Sequence, residues 1–162
     1  MGDNGEDKHE KAKAARKKAE LGDSIGYKKT ADYLHNAGIR PSYQRVMVWN
    51  YLAGQRNHPT AEQIYAALVG ELTGMSKTTV YNTLKLFVEK GLAVSLNMNE
   101  NESRFDATTK FHAHFRCTRC GEIIDVDMPE DMAPFKGMEA YEVLERQLYL
   151  KGYCPRCKAS LQ

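Results

Sequence analysis

The sequence predicts an α+β protein in two parts: a helical N-terminal part that ends in a β-hairpin, and a smaller α/β part that contains four cysteines. Three observations predict this. Apolar residues recur at helical spacing between residues 26 and 90, behind several capping residues. Two short extended segments follow at 92–97 and 102–106, separated by the polar residues MNEN. After residue 107 the pattern becomes strand-like, with a Cys-x-x-Cys pair near each end.

Composition limits the classes of protein to be considered. The 162 residues suit one domain or two small ones, and a hydrophobic content of 42% is enough for compact cores. The net charge is only +2, so binding to nucleic acid would depend on a local basic patch. The sequence has neither a membrane-spanning apolar run nor an apolar secretion signal. We therefore expect a cytoplasmic protein without a membrane partner, whose reduced cysteines favour metal over disulfides.

Residues 1–23 form a charged N-terminal extension. Six basic residues and one acid lie between Lys8 and Lys18, among several alanines. The composition favours a solvated helix with little apolar surface to bury. The alternative is a basic arm that adds contacts to nucleic-acid phosphates.

Four helices are predicted within the N-terminal part, residues 24–106. They cover residues 26–37, 42–52, 60–72 and 77–90. Gly38 and Gly91 end the first and last helices. Thr60 and Gln63 form a capping box, and Ser76 caps the fourth helix. Several helices followed by a hairpin is the element order of a winged helix-turn-helix.

The helix 77–90 would be the recognition helix of such a domain. Its polar side offers lysines for phosphates and Tyr81 and Asn82 for base edges. The candidate DNA contacts are Arg45, Lys77, Thr78, Tyr81, Asn82 and Lys85. The alternative interpretation is an ordinary amphipathic helix whose polar face is solvated.

The C-terminal part, residues 107–162, is predicted to be a small α/β domain. Strands are expected at 112–116, 122–126 and 142–153, and a short helix at 132–138 that Pro134 limits. Its two Cys-x-x-Cys pairs are Cys117 with Cys120 and Cys154 with Cys157. Together they predict a closed four-sulfur site for structural Zn(II) without an open position for chemistry. A redox dithiol would need only one pair, so the duplication disfavours that alternative.

A second metal site is predicted from histidines and aspartates. His112 and His114 alternate on a strand, so they share a face and could bind one ion. Asp106 and Asp125 are near in sequence, whereas His58 lies in a distant turn. If all five converge, the site joins the two parts of the chain and suits Fe(II), Mn(II) or Zn(II). The alternative is solvent-facing strand histidines and a turn histidine without a ligand.

These segments resemble the ferric uptake regulator superfamily. The motifs that carry the resemblance are GIRPSYQR (38–45), HPTAEQIY (58–65), SKTTVYNTL (76–84), SRFD (103–106), HAHFRCTRCGEIIDV (112–126) and YLKGYCPRC (149–157). The resemblance implies a homodimeric, metal-dependent transcriptional repressor that binds palindromic double-stranded operator DNA. It also implies a winged-helix domain followed by a dimerisation domain.

Within the superfamily, Asp106 and Asp125 resemble the peroxide-regulator branch, because iron regulators commonly have Glu at these positions. The resemblance implies that Fe(II) or Mn(II) occupies the histidine and aspartate site, and that peroxide oxidises His58 and His112 and releases the DNA. An iron-uptake regulator that responds to Fe(II) availability is the alternative. A metalloenzyme and a zinc-ribbon interaction module are further alternatives; the first lacks an obvious substrate cavity and acid–base pair, so we expect no enzyme.

Overall fold

The structure is a computed structural model that describes residues 26–55, 57–72, 74–99, 102–129 and 137–161. The predicted extension 1–23 and most of the predicted helix 132–138 lie outside these residues. Helices followed by two small sheets give the α+β class that the sequence predicts. In the described part of the chain, no helix combines the length and apolar character needed to cross a bilayer.

Four helices form the N-terminal part. They are α1 (described over 26–36), α2 (Tyr43–Gly54), α3 (Ala61–Leu68) and α4 (Lys77–Glu89). The last three begin at predicted caps, where the side chains of Ser42, Thr60 and Ser76 each accept a hydrogen bond from a backbone N–H three residues later. Each cap satisfies a donor that the first helical turn would leave without a partner.

Helix α3 ends at Leu68, four residues before its predicted end at Leu72. Gly70 follows in a turn, and glycine is a poor helix former. Leu72 is nevertheless 4% exposed, because the turn returns its side chain to the core. The periodicity of the apolar residues therefore located a core position correctly but overstated the length of the helix.

One hydrophobic cluster holds the helices together. Phe87 of α4 is fully buried and packs edge-on against Trp49 of α2, with ring centroids 5.4 Å apart. Val80 and Leu84 of α4 are also fully buried. Because these residues fix the inner face of α4, the polar residues of that helix project from the opposite face.

A β-hairpin follows α4. Strands β1 (Val94–Asn99) and β2 (Glu102–Asp106) pair antiparallel, with Val94 opposite Asp106. The other edge of β2 holds the loop before α3: Phe105 N–H donates to the Pro59 carbonyl at 3.0 Å, and Thr60 forms an isolated bridge with Arg104. These backbone contacts bring the loop that contains His58 next to the end of β2.

A three-stranded sheet forms the C-terminal part. It contains β3 (Ala113–Cys117), β4 (Ile123–Val126) and β5 (Leu148–Gly152), followed by a short helix α5 (Pro155–Ala159) that the sequence did not predict. β3 lies in the centre, antiparallel to β4 and parallel to β5. The expected strands at 112–116 and 122–126 are thus shifted by about one residue.

The predicted strand 142–153 is wrong in its first half. Only Leu148–Gly152 is a strand, and residues 141–147 have neither helical nor strand structure. The reason is where the partner strand begins. β5 pairs with β3 from Ala113 onward, so residues 142–147 would need strand partners that precede Ala113. There the chain instead turns, and His112 Nδ1 hydrogen-bonds to the Lys110 carbonyl at 2.7 Å.

Candidate metal centres and nucleic-acid interface

The four cysteines come together at the end of the C-terminal sheet. Their sulfur atoms all lie within 4.8 Å of one another, and Cys120 Sγ is 3.8 Å from Cys154 Sγ. A tetrahedral zinc site with Zn–S bonds of about 2.3 Å has sulfur–sulfur edges of about 3.8 Å. The donor set therefore fits Zn(II) in number, atom type and spacing.

Local backbone geometry builds this four-sulfur site. Cys117 ends β3, and Gly121, at φ +74°, turns the chain back toward β4. Cys154 immediately precedes α5, where Pro155 occupies the first turn. Cys154 N–H also donates to Cys117 Sγ at 3.3 Å, which joins the two Cys-x-x-Cys pairs.

The thiols differ in acidity. Backbone N–H donors of Cys120 and Cys154 lower the pKa of Cys117 to about 6, so that thiol is ready to act as a thiolate ligand. Desolvation and the neighbouring sulfurs raise the pKa of Cys157 to about 12. Four thiolates so close together repel one another, and a bound cation removes that penalty.

The histidine and aspartate set also comes together. One ligand atom from each of five residues lies within 4.8 Å of the others; the residues are His58, Asp106, His112, His114 and Asp125. His58 comes from the loop before α3 and Asp106 from the end of β2, whereas the other three come from β3, β4 and the residue before β3. The cluster therefore joins the two parts of the chain.

Several atoms of this cluster face one another without forming hydrogen bonds. Asp106 Oδ2, His112 Nε2 and His114 Nε2 are buried and have no hydrogen-bond partner. Yet Asp106 Oδ2 lies 3.0 Å from His112 Nε2 and 3.5 Å from His114 Nε2. Buried polar atoms without partners are costly, and a shared cation would satisfy all three. The cluster therefore fits a metal bound by nitrogen and oxygen.

Two neighbours orient the ligands. The Lys110 carbonyl holds the proton of His112 on Nδ1, which leaves Nε2 free to bind a metal. Thr108 N–H donates to Asp106 Oδ1 at 2.8 Å. Burial acts to raise the pKa of Asp106, but the His114 imidazole and this N–H outweigh it, so the pKa is lowered and the carboxylate is ionised.

His58 adopts a backbone conformation that is unusual for a residue other than glycine, with φ +48°. Arg104 Nη1 donates to the His58 carbonyl at 3.2 Å. The His58 Nε2 atom lies 2.7 Å from Asp125 Oδ1. Burial lowers the pKa of His58 although both aspartates act to raise it, which favours the neutral imidazole that binds metals. The site is most open at Asp125, whose side chain is 30% exposed.

The predicted DNA contacts on α4 lie on one exposed face. Its exposed members are Lys77, Thr78, Tyr81, Asn82 and Lys85. Lys77 Nζ lies 5.9 Å from the centre of the Tyr65 ring, and Lys85 forms an exposed ion pair of 3.9 Å with Glu89. Arg45 is half-buried beside this face, and its Nη1 donates to the Arg40 carbonyl at 2.7 Å.

Glu62 borders this face and was not predicted from the sequence as part of it. The Tyr81 hydroxyl donates to Glu62 Oε1 of α3 at 2.5 Å. Nothing in the local pattern indicates this pair, since the residues are 19 apart and Glu62 reads as an ordinary first-turn acid of α3. Arg104 is likewise absent from the predicted site residues, although its guanidinium donates to the His58 carbonyl.

Comparison with known proteins agrees with this architecture. A model of the ferric uptake regulator family matches residues 36–149. The peroxide operon regulator of Bacillus subtilis (strain 168) is 36% identical over 135 residues, which cover 80% of this chain and 92% of that protein. The peroxide-responsive repressor PerR of Staphylococcus epidermidis is 34% identical over 130 residues, with coverages of 77% and 85%.

A solved structure gives the same fold. The ferric uptake regulator from Pseudomonas aeruginosa with manganese superposes with a TM-score of 0.61 at 25% identity, covering 78% of this chain and 98% of that one.

Proposed function

Because the chain belongs to the ferric uptake regulator family, whose members are metal-responsive transcription regulators, we propose that it is a homodimeric repressor that senses hydrogen peroxide. The convergence of five nitrogen and oxygen ligand atoms within 4.8 Å supports this most strongly. Relatives named as a peroxide operon regulator and a peroxide-responsive repressor support the choice of signal.

The proposed division of the chain assigns residues 24–106 to a winged-helix DNA-binding domain and 107–162 to a dimerisation and metal-binding domain. The helical core and the C-terminal sheet support this division, since the core cluster is drawn from residues before the sheet. His58 and Asp106 belong to the first domain, whereas His112, His114 and Asp125 belong to the second. An ion held by all five would fix the angle between the domains.

The two metal sites have different roles in this proposal. Cys117, Cys120, Cys154 and Cys157 hold a structural Zn(II) whose four sulfur ligands leave no position open. The nitrogen and oxygen site holds Fe(II) or Mn(II), which prefer such ligands. The exposed edge at Asp125 gives small molecules a route to this second site.

The five residues of this cluster would hold Fe(II), which when bound would catalyse the reduction of hydrogen peroxide beside the imidazoles. His58 and His112 have the shortest nitrogen-to-carboxylate distances of the cluster, 2.7 and 3.0 Å. We assign them as the oxidised residues: one oxygen atom of the peroxide converts C2–H of the imidazole to C2–OH, the tautomer of 2-oxo-histidine, and the other oxygen leaves as water. The two electrons that the imidazole loses are the two that reduce the peroxide. The resulting 2-oxo-histidine is a poorer ligand, so the domains lose their fixed angle and the DNA is released.

DNA binding is assigned to the exposed face of α4 together with Arg45. Lys77 and Lys85 would contact phosphates, and Tyr81 and Asn82 would reach base edges in the major groove, with Thr78 at the start of the helix. A homodimer presents two such helices related by a two-fold axis, so the operator would be palindromic.

The test is oxidation of the Fe(II) form without oxygen, followed by peptide mass spectrometry. Low peroxide should add the mass of one oxygen atom to His58 or His112 and abolish operator binding, while the Mn(II) form stays unmodified. His35, an exposed histidine of α1 outside the cluster, is an internal control. Absence of oxidation on either ligand, with DNA binding that follows Fe(II) concentration alone, would indicate an iron-uptake regulator instead.

A further inference from the structure

The exposed face of α4 contains a hydroxyl group that another helix holds in place. Tyr81 is 46% exposed, yet its hydroxyl lies 2.5 Å from Glu62 Oε1 in the first turn of α3. Tyr81 is also one of the residues assigned above to base edges. The hydrogen bond to Glu62 therefore sets what this hydroxyl can still offer to DNA.

The direction of this hydrogen bond is fixed by Glu62. The carboxylate lies at the N-terminal end of α3, where the helix dipole favours negative charge. The bond from Tyr81, followed by a backbone N–H, lowers the pKa of Glu62, so the group is ionised and can only accept. The same bond raises the pKa of Tyr81, which keeps its proton and donates it to Glu62.

A phenol has a single proton, so a hydroxyl that donates to Glu62 presents only lone pairs to other partners. In the major groove, the adenine N6 and cytosine N4 amino groups donate, whereas guanine O6 and N7 and thymine O4 accept. We propose that Glu62 makes Tyr81 a reader of amino groups, which selects adenine or cytosine at one position of each operator half-site. This inference rests on the proposed DNA binding by α4.

The positive charge of Lys77 makes a carboxylate tolerable on this DNA-facing surface. Lys77 is near enough to contribute to the lowered pKa of Glu62, and its charge offsets the repulsion between Glu62 and DNA phosphates. Glu62 is a positioning residue in this proposal, since it acts through Tyr81. A different arrangement, in which Glu62 itself accepts from cytosine N4, is chemically reasonable and must be separated by experiment.

The experiment selects duplexes from a library randomised across a half-site, using the full-length, metal-loaded protein. The variants are Tyr81→Phe, Glu62→Ala and the double variant, and Lys85→Ala is the matched control on the same face. All three substituted positions are exposed, and thermal unfolding verifies that each variant is folded.

We expect the wild type to prefer adenine or cytosine at one position by about fivefold, the size of one hydrogen bond. Tyr81→Phe should lose this preference. Glu62→Ala should tolerate guanine or thymine there without changing other positions, and the double variant should match Tyr81→Phe. Lys85→Ala should weaken all sequences equally.

Three results would overturn the inference. The base profile could be unchanged in Glu62→Ala, or the preference could persist in Tyr81→Phe. It could also disappear in Glu62→Ala but remain in Tyr81→Phe, which would make Glu62 the reader. If the wild type itself enriches no sequence, the proposed DNA-binding function fails together with this inference.

Discussion

Replacing His114 by leucine should affect the metal-free and metal-loaded proteins in opposite ways. His114 is 4% exposed, and its Nε2 is one of four buried, unpartnered side-chain atoms in the residues of the nitrogen and oxygen cluster. Each such atom costs about 1–3 kcal/mol when unsatisfied. His114→Leu removes one of them with a side chain of similar size. The variant also loses the imidazole that helps to lower the pKa of buried Asp106, which costs about 1 kcal/mol. The metal-free variant should therefore be as stable as the wild type, or up to about 2 kcal/mol more stable.

Bound metal should make the wild type more stable to unfolding than His114→Leu. At a Mn(II) concentration about 100 times its dissociation constant, the wild type should gain about 2.7 kcal/mol in the free energy of unfolding. If loss of one ligand weakens binding about a hundredfold, the variant should gain only about 0.4 kcal/mol at the same concentration. The two proteins would then exchange rank when metal is added.

Urea unfolding with and without Mn(II) measures both quantities. Far-UV circular dichroism and the fluorescence of Trp49, the single tryptophan, follow the transition. Elemental analysis must show one zinc per chain throughout. His35→Leu is the control, because that histidine is exposed in α1 and the metal-dependent gain should remain. A metal-free His114→Leu that is about 2 kcal/mol less stable than the wild type, or one that keeps the full gain from Mn(II), would refute the reasoning.

Three further predictions concern the scaffold and the DNA face. Cys154→Ser should lose zinc and unfold the C-terminal sheet, because structural zinc contributes about 10–16 kcal/mol in small domains; zinc retained at one per chain by elemental analysis would contradict this. Gly121→Ala should keep zinc but cost about 1–2 kcal/mol in urea unfolding, since residue 121 has φ +74° and open space around it; an unchanged midpoint would remove the conformational argument. Lys77→Ala should reduce the slope of log affinity against log salt by about 0.9, measured by fluorescence anisotropy, and an identical slope would exclude a phosphate contact.

Features encoded in short stretches of sequence were predicted well. Ser42, Thr60 and Ser76 each cap the helix expected after them, because capping depends on residues three positions apart. The two Cys-x-x-Cys pairs are similarly local, and bringing them together requires only the small sheet between them. Such patterns have few structural alternatives.

Features that depend on distant partners were predicted poorly or missed. The length of β5 is set by where β3 begins, which residues 142–147 cannot reveal on their own. The helix α5 has only five residues and directly follows Cys154, so it is too short to show a periodic pattern. The Glu62–Tyr81 pair joins two helices across 19 residues, and only the packing of α3 on α4 creates it.

Strand β3 connects the two metal centres with a fixed number of residues. His114 lies near its start and Cys117 at its end, and both are buried. Successive side chains of a strand point to opposite sides, so inserting or deleting one residue between them would turn one ligand away from its own centre. The strand therefore fixes the spacing between the proposed regulatory site and the proposed zinc site: residues between His114 and Cys117 can be substituted, but their number cannot change.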